Sequence, residues 1–468
     1  MNRGEKMKFW IGVENFAKIE SAKICIDNYT VLVGPNNSGK TFLMQLVQGL
    51  SKRLAYLLDE IVMEELLKKD YDAYKEFVIN SDNVSALTSC MNKRLAEDKE
   101  IIMREIFGKD IYAERIYVEA IMEEESSYSI ILFDAIRRTE IDDIASFLHH
   151  ISPKVVSMVN RKNAGMIAII NQTGNDERKN QTLSVHWSSA NYEDMMLKSA
   201  LQSIMESESL FLPASRTGLL LLYRDFFANR TDNDLSFVFE GERFVDNQEK
   251  TATLTKPMYD FLRFLQTYSE RKDINEKYRD ELKFFEKHLI EGHIDVNEQG
   301  IFSYRSADEN ATVPMYLASS MIKEITPFVL AVMSNNMYNR LIIDEVEASL
   351  HPQKQLELVR FLNRLNNMGM KLIVSTHSDT FASKLSNLYI LSERVKVYGE
   401  EILEKFKLEN ADLIEPEKLF VYEFVMQPNG KSIVKRILGD KKTGFQFDAF
   451  TDSALHLYEE GTKLGEIQ

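Results

Sequence analysis

The sequence predicts an α/β fold, and three features carry that prediction. Short apolar runs, "YTVLV" (Tyr29–Val33), "RLIIDE", "KLIVSTHS" and "NLYILSE", are bounded by polar residues and read as buried strands. Helical patterns alternate with them, as after Lys40, where Phe42, Leu43, Leu46, Val47 and Leu50 recur at three- and four-residue spacing. Between the first such strand and helix lies "GPNNSGKT", a G-x-x-x-x-G-K-[ST] loop in the strand–loop–helix context that a phosphate cradle requires.

The elements then follow in order. "KFWIGVENF", "AKICID" and "YTVLV" read as three strands, rich in β-branched and aromatic residues and separated by polar turns. Residues 51–150 read as mostly helical and heavily charged, as in "LLDEIVMEELLKKDYDAYKEF", whose alternating charges suit a solvated helix face. "YSIILFD", "MIAIIN" and "TLSVHW" read as strands, and "YEDMMLKSALQSIMESE" as helix. An apolar strand then opens "SLFLPASRTGLLLLYRDFF". A helical region over 255–290 precedes the strands "HIDVNEQGIFSY" and "TVPMYLA" and the helix "SSMIKEITPFVLAVMSNN". "LFVYEFVMQPNGKSIVKRIL" reads as a hairpin about Pro428–Gly430, and a helix covers roughly Ala449 to Glu460. The nucleotide motifs lie towards both ends of the chain, so the middle reads as insertions into one unit. The expected division is a core of 1–50, 205–235 and 300–468, a mainly helical insertion with some strands over 51–204, and a helical insertion over 236–299.

Composition narrows the function classes. The 468 residues are 44% hydrophobic and 28% charged, ordinary for a soluble globular protein. No apolar run approaches the ~20 residues needed to span a bilayer, the first ten residues lack a signal-peptide core, and a cytoplasmic location is expected. The formal charge of −15 argues against a basic surface wrapped in nucleic acid, though not against a local basic groove. Cys25 and Cys90 build no disulfide or metal framework. The adjacent His149 and His150 point in different directions on any regular element and read as surface or packing residues.

The loop's chemistry follows from its residue types. Gly34 and Gly39 permit backbone angles that turn successive N–H groups of Asn36, Asn37, Ser38 and Gly39 toward one anion. The helix starting near Lys40 adds its positive end. Lys40 is placed to reach the β- and γ-phosphates of ATP, and the Thr41 hydroxyl to ligate Mg²⁺. "NRLIIDEVEASLHP" supplies a strand ending in two carboxylates: Asp344 suits Mg²⁺ through water, and Glu345 suits polarising the attacking water. "KLIVSTHSD" ends at His377, whose imidazole suits contact with the γ-phosphate. Arg216 in "PASRTG" is read either as a residue near the catalytic magnesium or as a surface salt bridge. Phe16 is read either as a core residue or as a stacking partner for adenine.

"GPNNSGKT", "LIIDEVEASLHP" and "LIVSTHSD" together resemble the ABC-type ATPases of the SMC/RecF kind. More closely they resemble the ATPase module of OLD-family nucleases and the AAA-15/AAA-21 ATPases of bacterial anti-phage systems, which "LFLPASRTG" and "VPMYLASSMIKEITPF" also fit. The resemblance implies an ABC-type ATPase head with large helical insertions and a β-rich lobe, working as a homo-oligomer whose heads sandwich Mg-ATP in pairs. Each phosphate loop would be closed by the partner's signature segment, here "LASSM" (Leu317–Met321), with Ser319 and Ser320 and the following helix amides meeting the γ-phosphate. The family has glycine where Met321 stands, which implies slow hydrolysis, and Val346 replaces a frequent proline. Glu347–His351 resembles the loop that crosses between heads.

OLD nucleases carry a TOPRIM domain with a glutamate and paired aspartates. After His377 there is no Asp-x-Asp, and no HNH-like cluster stands elsewhere. The resemblance therefore implies a sensor or scaffold ATPase without its own nuclease, acting on a separate nuclease effector after a phage-derived trigger. The AriA ATPases of PARIS, paired with a TOPRIM-type effector (AriB), fit this outline better than the PtuA ATPases of Septu, paired with an HNH nuclease. The competing class is a DNA-repair or DNA-maintenance ATPase that clamps duplex DNA. An ABC transporter subunit at a membrane is not expected.

Overall fold

In a computed structural model, the described residues are 7–58, 66–70, 74–123, 126–133, 165–172, 179–185, 197, 200–202, 204–205, 208–228, 254–268, 276–297, 300–307, 312–334 and 338–465. His149 and His150 lie outside them.

β1 (Met7–Phe16), β2 (Ile19–Cys25) and β3 (Tyr29–Val33) open the chain as the sequence predicts. All five residues of β3 are buried, which fits a central strand covered on both faces. α1 (Lys40–Ser51) follows the glycine loop and is buried on nearly every side beyond its first turn. β4 (Leu67–Asp70) and β5 (Tyr74–Asn80) replace the helix expected in "EELLKKDYDAYKEF". Phe77 and Ile79 are buried two residues apart, a strand period masked in the sequence by the charges around it. α2 (Val84–Phe107) ends at Gly108, whose φ of 71° forms the left-handed cap. β6 (Arg115–Met122), β7 (Ser127–Phe133), β8 (Gly165–Gln172) and β9 (Lys179–Val185) complete this stretch. Among its described residues, 51–204 thus holds more strand than expected.

β10 (Ser209–Leu212), α3 (Arg216–Ala228), α4 (Lys256–Thr267) and α5 (Arg279–Phe285) come next. β11 (Gly292–Val296), β12 (Phe302–Ser306) and β13 (Thr312–Pro314) form a small antiparallel sheet. The expected strand "TVPMYLA" gives only β13, because Met315–Leu317 turns into a 3-10 helix after Pro314. α6 (Ser320–Met333), β14 (Arg340–Ile343), α7 (Pro352–Asn367) and β15 (Lys371–Thr376) follow.

"NLYILSE" is not a strand. It lies inside α8 (Asp379–Tyr398). Ser378 caps that helix by accepting from the Phe381 N–H at 3.1 Å. Phe381, Leu385, Leu388 and Leu391 keep a helical spacing on its buried face. In isolation Leu388–Leu391 is a plain apolar run, and only the cap and the upstream spacing reveal its period. β16 (Leu419–Met426) and β17 (Ser432–Ile437) form the predicted antiparallel hairpin, and α9 (Asp448–Gly465) is the last element.

The main sheet has the order β10-β14-β15-β3-β16-β17-β2-β1-β6. Its first five strands are mutually parallel. The remaining strands make a lobe that is antiparallel except where β17 runs parallel to β2. β6, from inside the long insertion, closes its edge against β1. A separate antiparallel sheet orders β4-β5-β7-β8-β9. The side-chain period of two divides the core between the faces of the main sheet. Leu32, Ile342 and Ile373 pack with α1 and α2 on one face. Val31, Val33, Leu341, Ile343, Leu372 and Val374 pack with α3–α8 on the other. Two helical layers therefore cover the parallel half.

At the N-terminal edge of those strands Asp27 is buried and accepts from the Phe9 N–H, Arg340 and Lys371 at 2.6, 3.1 and 2.8 Å. Burial pushes its pKa up, but Lys371 and Arg340 outweigh that and hold it below the ordinary carboxylate value. Asp27→Ala is expected to cost on the order of 3 kcal/mol in urea unfolding, since it removes the anion shared by the buried Arg340 and the half-buried Lys371. Because the folded pKa is depressed, the wild-type advantage is full above the unfolded carboxylate's range and is lost as pH falls through the folded value.

Candidate nucleotide-binding site

Parallel pairing brings three strand ends into one row. Thr376 of β15 pairs with Val33 of β3, and Ile343 of β14 pairs with Val374. The residues that follow these strands, Gly34, Asp344 and His377, therefore meet at the carboxyl edge, where open α/β sheets bind ligands.

The glycines are required by shape. Gly34 has φ 146°, and a Cβ there would stand 2.8 Å from the Cβ and the carbonyl oxygen of Phe424 on β16. Gly39 has φ 100°, and its Cβ would meet Ile19 at 2.7 Å. Asn37 also takes a left-handed φ of 62°, and Asn36 and Asn37 are exposed. Ser38 is buried, and its carbonyl accepts from the Ser432 hydroxyl at 2.6 Å, so the β16–β17 hairpin braces the loop.

Lys40 is folded back on the loop. Its ammonium donates to the carbonyls of Gly34 and Pro35 at 3.0 and 2.8 Å and lies 3.3 Å from Ser38 Oγ. Burial pulls its pKa down to about 8, against the raising pull of Asp344, Glu345 and Glu347. A desolvated cation satisfied by carbonyls is ready to exchange them for phosphate oxygens.

Thr41 donates from Oγ1 to Asp344 Oδ2 at 2.6 Å, and Ser375 Oγ donates to Asp344 Oδ1 at 2.5 Å. The hydroxyl and carboxylate assigned to Mg²⁺ therefore already face each other. One carboxylate and one hydroxyl are hard oxygen donors, the set that Mg²⁺ uses when phosphates and waters complete its shell. Among the described residues no group of three or more His, Cys, Asp or Glu stands together as a metal cage.

Glu345 has a left-handed φ of 48° and a side chain 45% exposed. Its N–H donates to Ser375 Oγ at 2.8 Å, and its Oε1 lies 4.0 Å from His377 Nε2. Burial, helped by Lys40, holds the imidazole of His377 below its ordinary pKa against Glu347 and Asp344. A neutral imidazole beside Glu345 and the phosphate loop suits hydrogen bonding to a transferring phosphate.

Sequence reasoning missed Ser375, and it read Glu347 only as the start of a loop between heads, not as a partner of His377. Ser375 bridges Asp344 and Glu345, and Glu347 Oε1 accepts from the His377 N–H at 2.7 Å. The available signal was register, since Ser375 lies two residues before His377 on a strand paired with β14. Ser375→Ala should raise the Mg²⁺ needed for half-maximal hydrolysis several-fold, read by titrating Mg²⁺ at fixed ATP, because Asp344 and the Glu345 N–H both lose a partner worth about 1 kcal/mol each.

Arg216 is not a surface salt bridge. It is 2% exposed and donates to the carbonyls of Asp344 and Glu345 at 2.7 and 3.1 Å. Phe16 is fully buried against Phe42 and Phe107, so it is a core residue and no base can stack on it. Ser319 is the N-cap of α6, its Oγ accepting from the Ile322 N–H at 3.3 Å, and Ser319 and Ser320 are exposed. Among the described residues, no hydrogen bond joins either serine to the loop, Asp344, Glu345 or His377 of the same chain.

A phosphate loop on a central parallel strand, with a carboxylate pair on the strand beyond its neighbour, defines a P-loop ATPase domain. Comparison with known families agrees. Residues 7–212 match the family described as "AAA ATPase domain", and residues 159–383 the one described as "AAA domain, putative AbiEii toxin, Type IV TA system". No curated protein matches the chain. Among solved structures, the SMC head domain from Thermotoga maritima is 11% identical with a TM-score of 0.31, covering 92% of this chain and 99% of that one. An Smc head bound to the C-terminal winged-helix domain of ScpA is 12% identical with a TM-score of 0.35, at 92% and 97% coverage. An Smc head with an extended coiled coil, bound to the C-terminal domain of ScpA derived from Pyrococcus furiosus, is 10% identical with a TM-score of 0.33, at 97% and 99% coverage. Among the described residues, no helix is long and apolar enough to cross a membrane.

Proposed function

We propose that this chain is a Mg-ATP-dependent switch whose heads pair around ATP and whose paired state controls a separate nuclease effector in defence against phage. Lys40 and the loop amides hold the phosphates, Thr41 and Asp344 hold Mg²⁺, Glu345 activates water and His377 contacts the γ-phosphate. The observation that carries head pairing is the start of α6. Ser319 and Ser320 lie there on exposed surface, flanked by Tyr316 and Leu317, each 66% exposed. A helix N-terminus beside uncovered apolar side chains suits a partner that brings both an anion and a protein face.

The phosphate-loop motif and the toxin–antitoxin description of the family matched by residues 159–383 support the defence reading. The effector is separate in this reading, so the purified chain should leave DNA and RNA intact. Degradation that Lys40→Ala abolishes would contradict it. A duplex-clamping DNA-maintenance ATPase is the rival, and it predicts hydrolysis stimulated by duplex DNA and weakened by salt. The charge of −15 favours the defence reading.

Met321 lies in the first turn of α6, partly buried against the core. If this turn closes on the partner's phosphate, Met321→Gly should speed hydrolysis several-fold while lowering stability by about 1 kcal/mol. An unchanged turnover rate would remove α6 from the partner's site.

A further inference from the structure

One buried guanidinium joins the carboxylate pair to the helix that carries Ser319 and Ser320. Arg216, the first residue of α3, donates from Nη1 to Asp344 O at 2.7 Å and from Nη2 to Glu345 O at 3.1 Å. On its other side Nε donates to Glu324 O at 3.1 Å, and Nη2 pairs with Glu324 Oε1 at 3.0 Å. Glu324 is 4% exposed and lies one turn into α6. Its second oxygen, Oε2, accepts from the N–H and hydroxyl of Thr217 at 3.2 and 2.5 Å. The carboxylate is thereby fixed to the start of α3 as well.

Stability alone does not explain this cluster. Burying an ion pair costs several kcal/mol of desolvation per ion, and a well-packed apolar pair of similar volume is often as stable. Geometry does explain it. Guanidinium is planar and presents five donors in a fixed fork, and here it serves three carbonyls and one carboxylate at once. The carbonyl it holds on Glu345 belongs to a residue with a left-handed φ of 48°, a conformation that persists only when its surroundings impose it. Ser375 fixes the N–H side of that residue and Arg216 the C=O side.

We infer that Arg216 is a positioning residue that, with Glu324, ties the orientation of Glu345 to the seating of α6. This rests on the paired-head reading above. When the start of α6 meets the partner's phosphate, displacement of the Glu324 carbonyl and carboxylate passes through one rigid fork to the carbonyls of Asp344 and Glu345. Each head then completes its own catalytic carboxylate only after it has docked on the other nucleotide.

The test uses the full-length chain with three variants, Arg216→Lys, Glu324→Gln and the double substitution, each followed by steady-state hydrolysis. Lysine keeps the charge and loses the fork. Glutamine keeps the shape and turns an amide toward the Thr217 N–H. Arg216→Lys should lower kcat on the order of 100-fold, the penalty of a misplacement of about 1 Å, with KM for ATP within about twofold of wild type. The double variant should fall no further than the worse single variant, because the two residues act as a unit. Wild-type turnover in Arg216→Lys, additive losses, or a loss of ATP binding that matches the loss of kcat would overturn the assignment. If circular dichroism shows Arg216→Lys unfolded, Glu324→Gln carries the same test on the same readouts. Failure of the underlying reading is distinguishable: it appears as Glu345→Gln protein that stays monomeric with Mg-ATP, whatever Arg216→Lys does.

Discussion

Lys40→Ala abolishes ATP binding, by at least two orders of magnitude in Kd, while leaving the fold intact. Charge-assisted hydrogen bonds contribute about 1.5–3 kcal/mol each, and Lys40 has two to transfer from the Gly34 and Pro35 carbonyls to phosphate. Two such bonds correspond to a factor of roughly 10² to 10⁴ at ~1.4 kcal/mol per decade. The effect on stability is smaller because opposing terms meet. The alanine variant leaves the carbonyls without the ammonium but also removes a cation that burial has already driven down to a pKa of about 8. Calorimetric titration with ATP and a parallel thermal melt separate the two. Binding within threefold of wild type would take the phosphate role from this loop.

Glu345→Gln keeps ATP binding and loses hydrolysis by about 10³-fold, within the 10²–10⁴ attributed to a positioned general base. Glutamine preserves side-chain length, and the strained backbone is held through its N–H and C=O by Ser375 and Arg216, groups the substitution does not touch. The loss should therefore appear in kcat with KM unchanged. Single-turnover hydrolysis with labelled ATP measures it, and wild-type turnover would transfer the water-activating role to another residue.

Local chemistry made the phosphate loop, Asp344, Glu345 and His377 legible from sequence, because each motif is short and each follows an apolar run whose strand character is plain. The fully buried strands β3, β10 and β14 were legible for the same reason. Three other features were not. β5 hides its period of two behind Lys75, Glu76 and Asn80. The run Leu388–Leu391 shows no period until Ser378 is known to cap α8. The burial of Arg216 depends on α6 and β14 converging on α3, which is tertiary and leaves no local trace. Ser375 and the bond from the His377 N–H to Glu347 were passed over because these hydrogen bonds cross between strand ends. The antiparallel lobe, with β6 supplied from within the insertion, required pairing over a hundred residues of separation, which local pattern does not encode.

Pairing of heads around ATP is the claim on which the functional reading stands. Its direct measurement is the solution mass of Glu345→Gln protein by light scattering, with and without Mg-ATP, beside Lys40→Ala as the non-binding control. The expected result is a dimer, or a multiple of dimers, that forms or reorganises only when Glu345→Gln protein has Mg-ATP. The contradicting result is a monomer under both conditions, which would leave Ser319, Ser320 and the start of α6 without a partner phosphate and make the loop a self-contained nucleotide site.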